Sequence, residues 1–116
     1  MQVKYQAAHH QLVASALATK LAHEIIPGSM IGCMLAAGNT YPYTCNPDDV
    51  QEAMDKDREN FFFIDVQSRG EYPAYAKRVL RENNIEIKMN NDDKDILKNN
   101  TEIGRASCRE RVCLYV

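Results

Sequence analysis

The sequence predicts an α/β fold that is mostly helical and contains one central strand. Three observations support this prediction: an Ala-rich segment with helical spacing at residues 4–26, a Pro27–Gly28 turn directly after it, and a continuous apolar run at residues 30–36. A helix, a tight turn and a buried strand together form the repeating unit of parallel sheets. One strand cannot form a sheet, and no second segment of the chain predicts a strand as clearly.

The first predicted helix carries apolar residues at spacings of three and four, which places them on one face. The members of this face are Tyr5, Ala8, Leu12, Ala16, Leu17, Leu21 and Ile25. The Pro27–Gly28 pair is expected to end the helix. A long Ala-rich helix of this kind needs a surface to pack against.

The run at residues 30–36 is predicted to be a strand buried on both faces, because it is short, continuous, apolar and bounded by Gly28 and Gly38. A loop follows it. The next helix is expected to begin with Asn46 as its N-cap and Pro47 at its first position, and to run towards Asn60.

The remaining segments give weaker predictions. Residues 61–66 are ambiguous by periodicity, and we favour a helical or irregular conformation that ends by Gly70. A short helix is predicted over Tyr75–Asn83, and a last one begins with Asp92 or Asp93 as its cap. Residues 85–89 alternate in polarity between pairs of asparagines, which indicates a short exposed extended piece.

Length and composition exclude several classes of protein. A chain of 116 residues has room for one small domain or a piece of a larger one, and 45% hydrophobic with 26% charged residues is typical of a globular protein. No apolar run approaches the roughly 18–20 residues of a membrane span. Fourteen basic and sixteen acidic residues give a net charge of −2, which argues against a nucleic-acid partner.

The N-terminal residues lack the basic stretch and apolar block of a secretory signal, so we expect a cytoplasmic protein. The four cysteines have loose spacing and are interpreted as free thiols in a reducing compartment. They are Cys33, Cys45, Cys108 and Cys113.

Three histidines are candidates for chemistry. His9 and His10 are adjacent, so on a helix they point about 100° apart and cannot chelate one ion well. We interpret both as packed and hydrogen-bonded against a neighbouring element, and His23 as a surface residue in the last helical turn. No metal site is predicted.

Carboxylates are plentiful, but their spacing singles out no catalytic pair. The run from Asp92 to Asp95 lacks the glycine and terminal glutamate of a calcium loop. Asp65 is the one acid in a plainly apolar setting; we favour a structural anchor, for instance through Arg69 at i+4, over catalysis. No phosphate-binding, dinucleotide-binding or nucleophile-elbow motif occurs, so the residues themselves predict no cofactor and no active site.

Several long blocks together resemble the 6-phospho-β-glucosidases of glycoside hydrolase family 1. These blocks are YQAAHHQLVASALA at 5–18, GCMLA at 32–36, YPYTCNPDDV at 41–50, DRENFFFIDVQSRGEYPAY at 57–75 and DKDILKNNT at 93–101. The resemblance implies a partial (β/α)₈ TIM barrel, since a whole barrel needs at least about 200 residues. Residues 1–101 would be the slice with the helix after strand four, strand five (30–36) and the following helices. The single strand then has no partner because its neighbours lie outside the slice.

The resemblance also implies retaining hydrolysis by two glutamates. In the family one lies in an Asn-Glu motif that ends the fourth strand, and the other in a Glu-Asn-Gly motif on the seventh. Neither motif occurs here, nor does the Ser/Lys/Tyr loop that grips the 6-phosphate, so no catalytic residue is assigned. Substrates bind at the carboxyl ends of barrel strands, which makes Asn39 and Tyr41 candidate substrate-binding residues at the barrel mouth.

Residues 102–116 depart from the family pattern. The residues from Glu102 to Val112 resemble a translated sequencing adapter, and we interpret the segment as a non-native tail. The alternative, a metal or nucleic-acid site at Cys108, Cys113 and three arginines, is less favoured.

The leading hypothesis is therefore an internal fragment of a cytoplasmic 6-phospho-β-glucosidase of carbohydrate metabolism. The parent would hydrolyse phosphorylated β-glucosides without a cofactor, whereas the fragment is expected to be inactive and to self-associate. The alternative is a small helical protein-interaction module without enzymatic activity, which would bind its partner through the Tyr5–Ile25 face.

Overall fold

The computed structural model describes residues 1–32 and 38–101, and within these residues the secondary structure is helical. The helices are α1 (Gln2–Ile25), α2 (Pro47–Arg69), α3 (Ala74–Glu82) and α4 (Asp93–Asn99). Helix α1 packs against α4 and α2, and α3 packs against α2. The predicted helical segments are confirmed. No helix in the described residues is both long enough and apolar enough to cross a membrane.

The predicted central strand remains a prediction. Residues 30–32 are irregular, and residues 33–36 of the predicted strand lie outside the described residues. The described part of the chain contains no strand.

Helix α1 buries a narrower stripe than the sequence predicts. Its buried residues are His9, Leu12, Ala16 and Thr19. Leu17, Leu21 and Ile25, which periodicity places on the same apolar face as Leu12 and Ala16, are 42%, 55% and 72% exposed. Helices α2 and α4 cover one side of α1, and these three residues lie on a second apolar stripe about 100° further around the helix.

Helix α2 begins as the sequence predicts. The Asn46 side chain accepts a hydrogen bond from the Asp48 N–H (3.1 Å), and Pro47 occupies the first position. The helix continues through the ambiguous residues 61–66 and ends at Gly70, whose φ of 70° is the left-handed conformation that favours glycine.

Gly70 is also a point of close approach between α2 and α4. A Cβ atom at this position would lie 2.6 Å from the Leu97 carbonyl oxygen and 2.7 Å from the Lys98 Cα. Only glycine therefore lets the end of α2 meet α4 at this distance.

The core lies where the four helices converge. Its buried hydrophobic members are Leu12, Ala16, Phe62, Val66, Tyr72, Ala76 and Leu97. Tyr5 of α1 meets the Phe62 ring edge to face at 5.6 Å between centroids, an arrangement that adds to the stabilisation from area burial. Phe63, which follows Phe62 in the chain, is 42% exposed.

Residues 85–89 are irregular, but they are not the exposed piece that the sequence predicts. Ile85 is 7% exposed, and Ile87 and Met89 pack against the core. Two glutamines of α1 hold this segment by pairing their side-chain amides with its backbone. The Gln2 amide bonds the N–H and C=O of Glu86, and the Gln6 amide bonds those of Lys88 at 2.8 and 2.9 Å.

The start of α4 also differs from the prediction. Asp92 occupies the N-cap position, but its side chain makes no capping hydrogen bond. Asp93 points inwards and is 4% exposed. Its carboxylate accepts a hydrogen bond from the Asn90 N–H (2.9 Å) and another from the buried His9 of α1, instead of capping its own helix.

Candidate functional site

Residues 38–46 form the loop that enters α2 and carry both predicted substrate-binding residues. Asn39 is exposed, and Tyr41 is 74% exposed. The structure therefore presents an amide and a phenol hydroxyl to solvent within three residues of each other. Both are neutral groups that donate and accept hydrogen bonds. They could bind sugar hydroxyls, but neither supplies a nucleophile or a general base.

The loop is held against α2 by side chains of that helix. The Asp57 carboxylate accepts the Thr40 N–H at 2.8 Å. The Asn60 amide donates to the Gly38 carbonyl at 3.1 Å. Near the start of the helix, the Asp49 carboxylate accepts from both the N–H (3.1 Å) and the hydroxyl of Thr44.

Sequence reasoning assigned no role to Asp57 or Asn60. The local sequence gives one indication of a role for them, because two residues with poor helix propensity lie three positions apart in the middle of a helix. That signal does not say which backbone group they would bind, because the contacts span 17 and 22 residues.

A second polar cluster is buried between α1, α4 and the segment before α3. His9 is fully buried; its Nε2 lies 2.9 Å from Asp93 Oδ2, and its Nδ1 lies 3.0 Å from the Tyr72 hydroxyl. A carboxylate can only accept, so Nε2 donates to Asp93. Nδ1 and the Tyr72 hydroxyl form the second hydrogen bond of the ring.

The electrostatics of this cluster follow from burial and pairing. The hydrogen bond from His9, with a further one from the Asn90 N–H, holds the pKa of the Asp93 carboxyl below its ordinary value of 3.8. Desolvation, together with the nearby Asp93 charge, raises the pKa of the Tyr72 phenol from 10.0 to about 12.

The order carboxylate, imidazole, hydroxyl is that of a hydrolase triad, but this cluster cannot work as one. His9 has no exposed surface and Tyr72 is 6% exposed, so a substrate has no access to the hydroxyl. A phenol with a raised pKa is also a poorer nucleophile at neutral pH. The cluster instead ties three segments together, as we expected for His9.

The other histidines lie on the surface. His10 is exposed, and its Nε2 lies 3.2 Å from the Gln6 amide nitrogen, so the prediction that it packs against a neighbouring element was wrong. Successive residues of an α-helix lie about 100° apart around its axis, so His10 lies outside the buried face that carries His9. His23 is exposed in the last turn of α1, as predicted.

The buried acid Asp65 has a structural contact. It is 6% exposed, and its carboxylate accepts a hydrogen bond from the Tyr75 hydroxyl. This bond joins α2 to α3. No group of three or more histidine, cysteine or acidic side chains able to hold a metal ion occurs in residues 1–32 and 38–101.

An open groove of about 350 Å³ runs along the exposed side of α2. Its lining is Asp48, Gln51, Glu52, Asp55, Lys56 and Glu59. Side chains on this face pair with one another, as in Lys56–Glu59 (3.1 Å) and Arg58–Asp55 (3.2 Å). Such surface ion pairs are typical of a solvated helix face, so we do not interpret the groove as a binding site.

Comparisons with known proteins give the chain a family. The family model described as "Glycosyl hydrolase family 1" matches residues 1–107. The match includes residues 102–107, the first part of the predicted tail, which lies outside the described residues.

Curated relatives carry consistent names. The chain is 64% identical to "6-phospho-beta-glucosidase AscB" of Escherichia coli (strain K12), over 87% of the chain and 21% of the relative. It is 58% identical to "Aryl-phospho-beta-D-glucosidase BglH" of Bacillus subtilis (strain 168), over 87% of the chain and 22% of the relative. A "6-phospho-beta-glucosidase" of Clostridium longisporum is 56% identical over 82% of the chain and 20% of its own length. The chain therefore spans about a fifth of the length of these relatives.

Proposed function

The chain belongs to glycosyl hydrolase family 1, and from this premise we propose that it is an internal segment of a 6-phospho-β-glucosidase. The observation that carries the proposal is the 64% identity, over 87% of the chain, to a relative of that name. Because the chain spans 21% of that relative, we assign the activity to the parent protein and not to the segment alone.

In this proposal residues 1–101 are one slice of a (β/α)₈ barrel. Helix α1 is the helix after the fourth strand, residues 30–36 form the fifth strand, and α2 to α4 are the connection that follows. The exposed stripe of Leu17, Leu21 and Ile25 supports this arrangement, because a barrel would cover it with neighbouring elements. Residues 102–116 are a non-native tail.

The parent hydrolyses a phosphorylated β-glucoside with retention of configuration, through two carboxyl groups about 5–5.5 Å apart. The Asn-Glu and Glu-Asn-Gly motifs of those residues do not occur in the 116-residue sequence, so the chain alone does not turn over substrate. Asn39 and Tyr41 contribute neutral hydrogen-bonding groups at the mouth of the site. The reaction needs no cofactor, and the parent acts in the cytoplasm without a nucleic-acid or membrane partner.

The isolated chain self-associates in this account. Beyond the stripe on α1, Ile26 and Met30 are 62% and 67% exposed, so large apolar side chains continue past the end of the helix. A contiguous exposed apolar surface of several hundred Å² favours association. Light scattering at micromolar concentration is expected to show oligomers. A monodisperse monomer with a sharp, cooperative melt would contradict this and would favour the interaction-module hypothesis.

The test of function is a chimera in which residues 1–101 replace the matched segment of the E. coli relative. If the chain is a family 1 slice, it completes the barrel, and the chimera hydrolyses a chromogenic 6-phospho-β-glucoside. The matched control carries the same 101 residues in shuffled order, and it is expected to be inactive. A chimera that folds but shows no turnover above this control would refute the proposal.

A further inference from the structure

We propose that Asp57 and Asn60 are positioning residues that fix the loop bearing Asn39 and Tyr41 for substrate binding. Neither side chain would touch the substrate; each would act through the loop backbone. This inference rests on the proposed function, and it adds residues of α2 that sequence reasoning did not identify.

The contacts between the loop and α2 follow one register. The loop runs from residue 38 to residue 46 and then reverses into α2, so its first residues lie beside later turns of the helix. Asn60 holds Gly38, Asp57 holds Thr40, and Asp49 holds Thr44. Successive loop positions thus meet successively earlier helix positions, and the loop is fixed along its length instead of at one end.

The bonds from Asp57 and Asn60 reach the backbone of the loop and leave its two candidate side chains exposed. Within residues 1–32 and 38–101, Asp57 and Asn60 bind backbone groups of the loop, the Thr40 N–H and the Gly38 carbonyl. These two groups bracket Asn39, and the first of them directly precedes Tyr41. The side chains of Asn39 and Tyr41 remain exposed. The contacts therefore define the path of the backbone and leave the amide of Asn39 and the phenol of Tyr41 on the surface.

Helix α2 does not need the side chains of Asp57 and Asn60 for its own formation. Its N-terminus is already capped by Asn46 and begins with Pro47. Aspartate and asparagine are poor formers of helix interiors, because their side chains compete for backbone hydrogen bonds. Asp57 and Asn60 stand in the helix interior, where a better helix former would stabilise α2 more. Their contacts with the loop give them a role there.

The bond to Asp57 is the stronger of the two. Asp57 is partly buried, whereas Asn60 is exposed. A hydrogen bond to an ionised carboxylate is roughly twice as strong as one between neutral groups. Removing the Asp57 carboxylate should therefore loosen the loop more than removing the Asn60 amide.

The experiment compares Asp57→Ala, Asp57→Asn and Asn60→Ala in the chimera described above. Asp55→Ala is the matched control, because Asp55 lies on the same helix and bonds Gln51 and Arg58 instead of the loop. Asp57→Ala is expected to raise KM for the chromogenic 6-phospho-β-glucoside about five- to tenfold, with kcat changed less than about twofold. Asn60→Ala raises KM less. Asp57→Asn, whose amide oxygen can still accept the Thr40 N–H, stays within about twofold of the parent chimera.

A second readout does not depend on activity. In the 116-residue chain, amide hydrogen exchange at Thr40 should become about tenfold faster in Asp57→Ala and stay unchanged in Asp55→Ala. An unchanged KM in an active Asp57→Ala chimera, or unchanged Thr40 exchange, would overturn the inference. If Asp57→Ala does not fold, Asn60→Ala decides by the same two measurements. If the unsubstituted chimera folds but is inactive, the proposed function fails, and Thr40 exchange still decides whether Asp57 fixes the loop.

Discussion

Substituting three glycines by alanine, one at a time, tests the description of the junction between α2 and α4. Gly70 has a φ of 70°, and an added Cβ would meet the Leu97 carbonyl oxygen at 2.6 Å. Gly28 has a φ of 83°, and no atom of the described residues lies within 4 Å of an added Cβ. Gly38 does not have a left-handed φ, and in the part of the chain that the structure describes nothing lies within 4 Å of an added Cβ. The three positions separate backbone conformation from steric contact.

The expected free energies of unfolding follow from these differences. The left-handed conformation costs a non-glycine residue about 1–2 kcal/mol, which is the whole expected effect of Gly28→Ala. Gly70→Ala adds overpacking of about 1–3 kcal/mol, since the atoms it meets are backbone atoms that cannot rotate away. We therefore expect a loss of about 2–5 kcal/mol at Gly70. Gly38→Ala should be neutral or stabilise by up to about 1 kcal/mol, because alanine restricts the unfolded chain.

Urea unfolding followed by helical circular dichroism measures these differences. All variants are compared at one protein concentration, because association contributes to apparent stability. The predicted order of midpoints is Gly38→Ala highest, then Gly28→Ala, then Gly70→Ala. Equal midpoints for the Gly28 and Gly70 variants would refute the close approach of α4 to the end of α2.

Three further predictions concern the buried cluster, the glutamine pairs and activity. The pKa of Asp93 is lowered in the folded state, so its contribution to stability is present above its unfolded pKa of about 3.8 and is lost as the pH falls towards its folded pKa. The free energy of unfolding, measured from pH 6 to pH 2, should therefore fall less steeply in Asp93→Asn than in the unsubstituted chain. An equal slope would contradict the His9 contact. Gln6→Ala removes two hydrogen bonds to Lys88 and should lower the free energy of unfolding by about 1–2 kcal/mol. Gln11 is exposed on the same helix, and Gln11→Ala should change the free energy of unfolding by less than about 0.5 kcal/mol. Equal urea midpoints for the two variants would argue against the pairing of Gln6 with Lys88. The purified chain should hydrolyse no chromogenic 6-phospho-β-glucoside above a heat-killed control, and measurable turnover would refute the slice hypothesis.

The sequence was most informative where local chemistry decides the structure. The Asn46–Pro47 pair started a helix because both residues suit those positions, and Gly70 ended it because the turn needs a positive φ. The family blocks indicated the parent enzyme, and the comparisons confirm the family. These features depend on residues that are close together in the chain.

The sequence was least informative where distant segments decide the structure. Periodicity placed Leu17, Leu21 and Ile25 on one face with Leu12 and Ala16, yet in the described residues α2 and α4 bury the stripe of Leu12 and Ala16 and leave those three exposed. The bonds from Gln6 to Lys88 and from His9 to Asp93 join residues more than 80 positions apart. No spacing rule reports such pairs, because they depend on how the helices are assembled.

Sequencing the genomic DNA around the coding segment tests the central claim most directly. If the chain is a slice of a family 1 enzyme, the reading frame continues upstream of codon 1 through an Asn-Glu motif. Downstream of codon 101 the genomic sequence departs from the one that encodes residues 102–116 and leads to a Glu-Asn-Gly motif. A start signal directly before Met1, with residues 102–116 encoded in the genome and followed by a stop codon, would contradict the account.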